Sequence, residues 1–148
     1  LAQKSPDYVV AIGSGSTKEI ATTANTVHVG SIDYDEIIHA VNACDVVISG
    51  EDPAKEWAGD RKVLEAIAAG IPALTRPWSA RLEQLGEDYP LYYTSAEELE
   101  NLVVRLHTDP DFKASISQHI DTMLTRLSTD EAADRLAEEI RKVIPTNS

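Results

Sequence analysis

The sequence is poor in the residues that hold small secreted proteins and metal centres together. Cys44 is its single cysteine, which excludes an intramolecular disulfide or a cysteine metal cluster and favours a reducing compartment, so we expect a cytoplasmic location. The four histidines show no ligand spacing to one another, so we expect no metal site. No apolar run approaches the roughly 20 residues of a membrane-spanning helix.

Basic residues are also scarce. The chain has 13 Lys and Arg against 25 Asp and Glu, for a formal net charge of -12. Nucleic-acid surfaces need clustered cations, so we expect no nucleic-acid partner. At 148 residues the length predicts one domain that is large enough to bury a core without disulfides or metals.

The most informative stretch is 59–75, GDRKVLEAIAAGIPALT. Its apolar residues recur at helical spacing and predict one buried face, formed by Val63, Leu64, Ile67 and Ala68. Gly70 can take the left-handed conformation that closes a helix, and the proline at 72 prevents continuation. The sequence therefore predicts a helix, a tight turn and a buried strand.

The start of this helix carries two cations. Asp60 is the predicted N-cap, and Arg61 and Lys62 stand in the first turn, where the helix dipole disfavours positive charge unless an anion binds there. The first turn is therefore either a phosphate site or a pair of solvated basic residues. Glu65, one turn further on, is either an acceptor for ribose hydroxyls or an exposed glutamate.

Strands and helices alternate along the rest of the chain. Asp33 is expected to cap a helix that faces inward with Ile37, Ile38 and Val41. Helices alone are expected from Ser95 onward, with N-caps at Ser95, Asp109 and Ser128. The predicted strands are 8–13, 26–30, 45–50, 72–75 and 91–94. This alternation predicts an α/β fold with a doubly wound parallel sheet.

Ligands of such sheets bind beyond the carboxyl ends of the strands. The loop that follows the first strand at Gly13 and Ser14 lacks the third glycine of the dinucleotide fingerprint and the lysine of the Walker loop. After the 72–75 strand, Arg76 and Trp78 either edge the ligand cleft or cover the sheet.

Five segments, in order, resemble the nucleotide-sugar-binding domain of GT-B glycosyltransferases, the C-terminal domain of the large retaining group 1 family. Residues 62–74, KVLEAIAAGIPAL, resemble the family's LLEAMACGVPVV segment. The other four segments are 27–37, 42–49, 91–99 and 106–112. The resemblance implies a Rossmann-like sheet with helices on both faces and a helical C-terminal end.

The resemblance also implies roles for particular residues. Glu65 matches the second glutamate of the family signature, which contacts the nucleotide ribose. The first signature glutamate lies near the donor sugar in the family, and at its position this sequence has Trp57, next to Glu56. The base is expected against Gly30, Ser31 and Ile32, and the loop at Gly13 and Ser14 lines the cleft. Arg61, Lys62 and Val63 are expected to hold the diphosphate.

These roles predict the donor-binding half of a hexosyltransferase that moves a sugar from a nucleoside diphosphate sugar to an acceptor. The acceptor is a sugar, a lipid-linked glycan or a protein glycan, and no cofactor is expected. We expect the chain to be a fragment lacking the acceptor domain and the first strand of this domain, and therefore inactive by itself. Peripheral membrane association through the missing domain is compatible with this function.

Two alternatives use the same fold. An inverting transferase or a nucleotide-sugar hydrolase needs a catalytic His or Asp at the cleft, for which His28 is the nearby candidate. A non-catalytic interaction domain is favoured by Trp57 at the place of the first signature glutamate. Nucleotide binding distinguishes this second alternative from the others.

Overall fold

The computed structural model describes residues 10–13, 26–49 and 61–128, together with residues 130, 133, 134, 137 and 138. The chain divides into two compact units, Leu1–Ala43 and Cys44–Ser148. Within the described residues these units contain two short parallel sheets, five helices with defined bounds and further helical residues between 130 and 138. This is the α/β class that the sequence predicts, and the doubly wound arrangement stays a prediction.

The sheet of the first unit pairs two parallel strands, β1 (Val10–Gly13) and β2 (Thr26–Gly30). Val10 lies opposite Thr26, and after an irregularity in register Gly13 lies opposite Gly30. Both strands fall where runs of β-branched residues predict them. The connection between them, 14–25, lies outside the described residues.

Helix α1 (Tyr34–Asn42) follows in the first unit and departs from the prediction in two ways. Asp33 occupies the N-cap position with extended backbone, but its side chain makes no capping hydrogen bond. Ile38, expected to face inward, is 44% exposed. The half-buried positions are Ile37, Ala40 and Val41, so Ile38 lies beside the more protected face, about 100° around the helix from Ile37.

The second unit is built on a parallel β-α-β arrangement. Strands β3 (Val47–Ile48) and β4 (Ala73–Leu74) are joined through helix α2 (Arg61–Ala68), and Val47 and Ile48 lie opposite Ala73 and Leu74. Beyond β4, Thr75 forms a single parallel bridge with Tyr92. The predicted strand 91–94 is thus reduced to one bridged residue.

The turn after α2 is a Schellman motif, as the glycine and proline predict. Gly70 has φ 75°, and its N–H donates to the Ile67 carbonyl at 2.9 Å. The Ile71 N–H donates to the Ala66 carbonyl, also at 2.9 Å. These bonds satisfy carbonyls at the helix end and direct the chain into β4.

The buried face of α2 differs slightly from the predicted one. Val63, Ala66 and Ile67 are buried, Leu64 is half-buried and Ala68 is exposed. The face is therefore centred on Val63, Ala66 and Ile67, at i, i+3 and i+4, and the prediction for Ala68 was wrong because this residue lies on the flank of the helix.

Three further helices with defined bounds follow in the second unit: α3 (Ser79–Leu85), α4 (Ala96–Thr108) and α5 (Pro110–Arg126). The caps of α4 and α5 are confirmed. The Glu98 N–H donates to Ser95 Oγ at 3.1 Å, and the Phe112 N–H donates to Asp109 Oδ1 at 2.9 Å. Helix α3 was not predicted from the sequence.

Helix α5 packs against both α4 and α2, and the core of the second unit lies between these helices and the sheet. Its apolar members are Val63, Ala66, Ile67, Ala73, Leu74, Leu85, Tyr89, Leu91, Tyr93, Val103, Leu106, Ile116, Ile120 and Met123.

Residues 130, 133, 134, 137 and 138 are helical, within the range of the predicted last helix; the rest of that helix lies outside the described residues. No helix in the described part of the chain is long and apolar enough to cross a membrane.

Candidate functional site

Three segments of the second unit end together at one edge of its sheet. The Ser49 N–H donates to the Leu74 carbonyl at 2.9 Å, and the Tyr93 N–H donates to the Thr75 carbonyl at 3.0 Å. The residues at this end, Ser49, Thr75, Arg76, Tyr93 and Thr94, are called the carboxyl edge below. Ligands of parallel α/β sheets bind beyond this end of the strands, so the carboxyl edge is the natural place for a site.

Helix α2 begins at the same edge. It connects two neighbouring parallel strands, so it runs antiparallel to them and its N-terminus lies near their carboxyl ends. Its first turn contains Arg61 and Lys62 and no acidic residue. By contrast, the first turn of α4 contains Glu97 and Glu98. The start of α2 thus combines the positive end of a helix dipole with two cationic side chains.

The predicted diphosphate and ribose residues contact each other. Arg61 Nε donates to Glu65 Oε1 at 3.2 Å, and the two side chains are 68% and 23% exposed. An exposed ion pair of this kind contributes little to stability. It does orient the Glu65 carboxylate toward the start of the helix, where the sequence analysis expects a nucleotide.

Val63 contributes to the site differently from the two cations beside it. Its side chain is completely buried in the core, so only its backbone can face a ligand. Asp60, the predicted N-cap, lies outside the described residues, as do Glu56 and Trp57, the predicted donor-sugar residues.

Arg76 lies directly after β4 on the carboxyl edge. Its Nη1 donates to the Thr94 carbonyl at 3.4 Å, and its Cζ lies 5.6 Å from the centroid of the Tyr93 ring. The Tyr93 hydroxyl donates to the Ser49 carbonyl at 2.8 Å, which fixes the ring across the ends of two segments. Burial raises the pKa of Tyr93, and the Arg76 guanidinium opposes that shift.

A buried arginine contacts the carboxyl edge from the protein interior. Arg81, in α3, is 1% exposed. Its Nε donates to Thr75 Oγ1 at 3.3 Å and its Nη1 to Gln84 Oε1 at 2.7 Å. The Tyr92 hydroxyl donates its one hydrogen to the carbonyls of Arg81 and Gly86, which lie 2.9 and 3.0 Å away. This contact fixes α3 beside Tyr92. This network was not predicted from the sequence. Arg81 and Gln84 have the ordinary i, i+3 spacing of a helix, but neither the burial of Arg81 nor its contact with Thr75 leaves a local pattern.

In the first unit, an open pocket follows β2. Its volume is about 370 Å³, and it is lined by Val29, Ser31, Ile32, Glu36, His39 and Ala40. The predicted base residues Ser31 and Ile32 are in this lining, and Gly30 precedes them with φ 75°. Gly13 pairs with Gly30 in the sheet, whereas Ser14 lies outside the described residues.

No group of three or more potential metal ligands occurs among the described residues. The expectation of a metal-independent site remains a prediction, since it concerns the whole chain. The same holds for the expectation that the chain needs no cofactor.

Residues 2–141, nearly the whole chain, match the family described as glycosyl transferase-like. No curated protein matches the chain significantly.

Proposed function

Because the chain belongs to the glycosyl transferase-like family, we propose that it is the donor-binding domain of a GT-B glycosyltransferase. It binds a nucleoside diphosphate sugar and presents the sugar to an acceptor. The reaction is transfer of a hexosyl group with retention at the anomeric carbon, and the acceptor is a sugar or a glycan. The nucleotide sugar is a substrate, and we propose no additional cofactor.

The observation that carries this proposal is the charge at the start of α2. The chain has a formal net charge of -12, yet the first turn of α2 contains two cations and no acid. A departing nucleoside diphosphate develops negative charge, and fixed cations and helix amides aimed at it lower the barrier to transfer. We assign this role to Arg61, Lys62 and the backbone of Val63.

The other roles follow from the same assignment. Glu65 accepts hydrogen bonds from the ribose hydroxyls while Arg61 orients its carboxylate. We keep, as part of this proposal, the predicted roles of Gly30, Ser31 and Ile32 beside the base and of Gly13 and Ser14 in lining the cleft. The donor sugar lies near Glu56 and Trp57.

Calorimetric titration of the chain with UDP, GDP, ADP and their sugar conjugates tests the proposal. We expect saturable binding of one nucleotide, weakened about tenfold or more by Glu65→Gln, because the amide cannot replace charge-assisted hydrogen bonds to the ribose. Glu97→Gln is the matched control, since Glu97 is an exposed glutamate in the first turn of α4. Absence of binding by every nucleotide, or equal weakening by both variants, would refute the proposal.

A further inference from the structure

Arg76 differs from arginines elsewhere on the described surface. Arg61 and Arg105 each pair with a carboxylate four residues away, at 3.2 and 3.3 Å. Among the described residues Arg76 has no carboxylate partner, and its polar contacts are with the Thr94 carbonyl at 3.4 Å and with the Tyr93 side chain. A guanidinium carries five N–H donors, and the contacts with described residues use only a minority of them. The remaining donors are able to bind a ligand.

The position of Arg76 is fixed although its charge is not neutralised there. The side chain is half-buried and lies over the Tyr93 ring at 5.6 Å, within the range of a cation–π contact. The ring itself is fixed by the Tyr93 hydroxyl bond to Ser49. A planar guanidinium fixed in this way needs little reorganisation to accept an anion.

The anion must come from the ligand side of the sheet, because Arg76 follows the carboxyl end of β4. The positive start of α2 lies at this same end. Guanidinium groups bind phosphate oxygens through two parallel N–H bonds, a geometry that a lysine cannot reproduce.

We propose that Arg76 binds the diphosphate of the donor, with Tyr93 as the residue that positions its guanidinium. This inference rests on the proposed function. It adds a cation from the end of β4 to those from the start of α2, so that the leaving diphosphate is contacted from two elements of the second unit.

Calorimetry with three probes tests the inference: the nucleoside diphosphate that binds best, its nucleoside, and inorganic pyrophosphate. We expect Arg76→Gln to weaken nucleoside diphosphate and pyrophosphate binding by about tenfold or more, and nucleoside binding by less than about twofold. Arg76→Lys keeps the positive charge but lacks the two parallel N–H donors of the guanidinium. Its affinity for the nucleoside diphosphate and pyrophosphate should therefore lie between those of wild type and Arg76→Gln. Arg105→Gln is the matched control, because Arg105 also lies over an aromatic ring, that of Phe112 at 3.8 Å.

The outcomes separate this inference from the function on which it rests. If the wild-type chain binds a nucleoside diphosphate and Arg76→Gln binds it equally, or if Arg105→Gln weakens binding as much, the role of Arg76 is refuted and the donor-binding function stands. If no nucleotide binds but pyrophosphate binds in an Arg76-dependent way, the anion site stands and the donor-binding function fails. If neither nucleotide nor pyrophosphate binds, both are refuted. Loss of nucleoside binding in both Arg76 variants would also refute a role confined to the diphosphate.

Discussion

Helices α1 and α2 are similar in length and both amphipathic, yet they differ in what their apolar faces contact. Helix α1, in the first unit, contains no buried residue in the described structure, whereas α2, in the second, buries Val63, Ala66 and Ile67. Hydrophobic periodicity predicts which face of a helix is apolar, but it does not say whether the surrounding chain covers that face.

The same contrast appears in the strands and caps. Val27 and Val29 of β2 are about half exposed, whereas Ala73 and Leu74 of β4 are completely buried. Asp33 precedes α1 without a side-chain capping bond. The second unit thus contains a buried core, and the carboxyl edge lies next to it.

The largest expected difference between the units concerns matched isoleucines. Ile67→Ala removes a buried side chain from the core of the second unit and should lower the free energy of unfolding by about 2 to 5 kcal/mol. Ile38 is 44% exposed, so Ile38→Ala should lower the free energy of unfolding by less than about 1 kcal/mol. Urea denaturation followed by circular dichroism measures both. Equal losses would show that Ile38 is buried in solution and would remove the contrast between the units.

Much of the second unit could be predicted from local sequence. The buried face of α2, the Gly70 turn and the caps of α4 and α5 depend on residues within one or two turns of each other, so spacing and residue type suffice. The Arg61–Glu65 pair could also have been predicted, since a separation of four residues on a helix brings side chains together. From the sequence, the two residues were predicted only as separate ligand contacts.

Other features depend on distant residues and left no local signal. Tyr93 contacts Ser49 across 44 positions. The contacts of Arg81 are closer in sequence, with Thr75 six residues before it and Gln84 three residues after it, but they do not make its burial predictable. Burial of an arginine runs against its usual preference, so nothing in the composition of α3 predicts it. The position of Arg76 over Tyr93 likewise follows from the pairing of Thr75 with Tyr92.

An intermediate effect is expected for matched tyrosines. The buried Tyr89 hydroxyl donates to the Ala73 carbonyl at 2.6 Å, and burial raises the pKa of Tyr89 well above its usual value of 10.0. Tyr89→Phe leaves the buried Ala73 carbonyl without this donor and should lower the free energy of unfolding by about 1 to 3 kcal/mol. Tyr34→Phe, in α1, should cost less than about 0.5 kcal/mol, because water can reach this largely exposed side chain. Thermal unfolding of both variants checks this, and a larger loss for Tyr34→Phe would contradict it.

The smallest expected effect compares the N-cap aspartates of α1 and α5. Asp109→Ala removes the bond to the Phe112 N–H and should lower Tm by a few degrees, whereas Asp33→Ala removes no capping bond and should lower it by less than about one degree. The Phe112 amide, assisted by Arg105 and partly opposed by desolvation, holds the pKa of Asp109 below its usual value of 3.8.

Acid titration sharpens this last comparison. Since the folded-state pKa of Asp109 is lowered, its contribution to stability is complete above its unfolded pKa, near 3.8, and is lost as pH falls through the folded value. The Tm difference between wild type and Asp109→Ala should therefore narrow as pH falls below about 4, whereas that of Asp33→Ala should stay small throughout. Calorimetric scans across this pH range measure both differences. If Asp33→Ala lowers Tm as much as Asp109→Ala at neutral pH, Asp33 caps α1 in solution and the two helices begin in the same way.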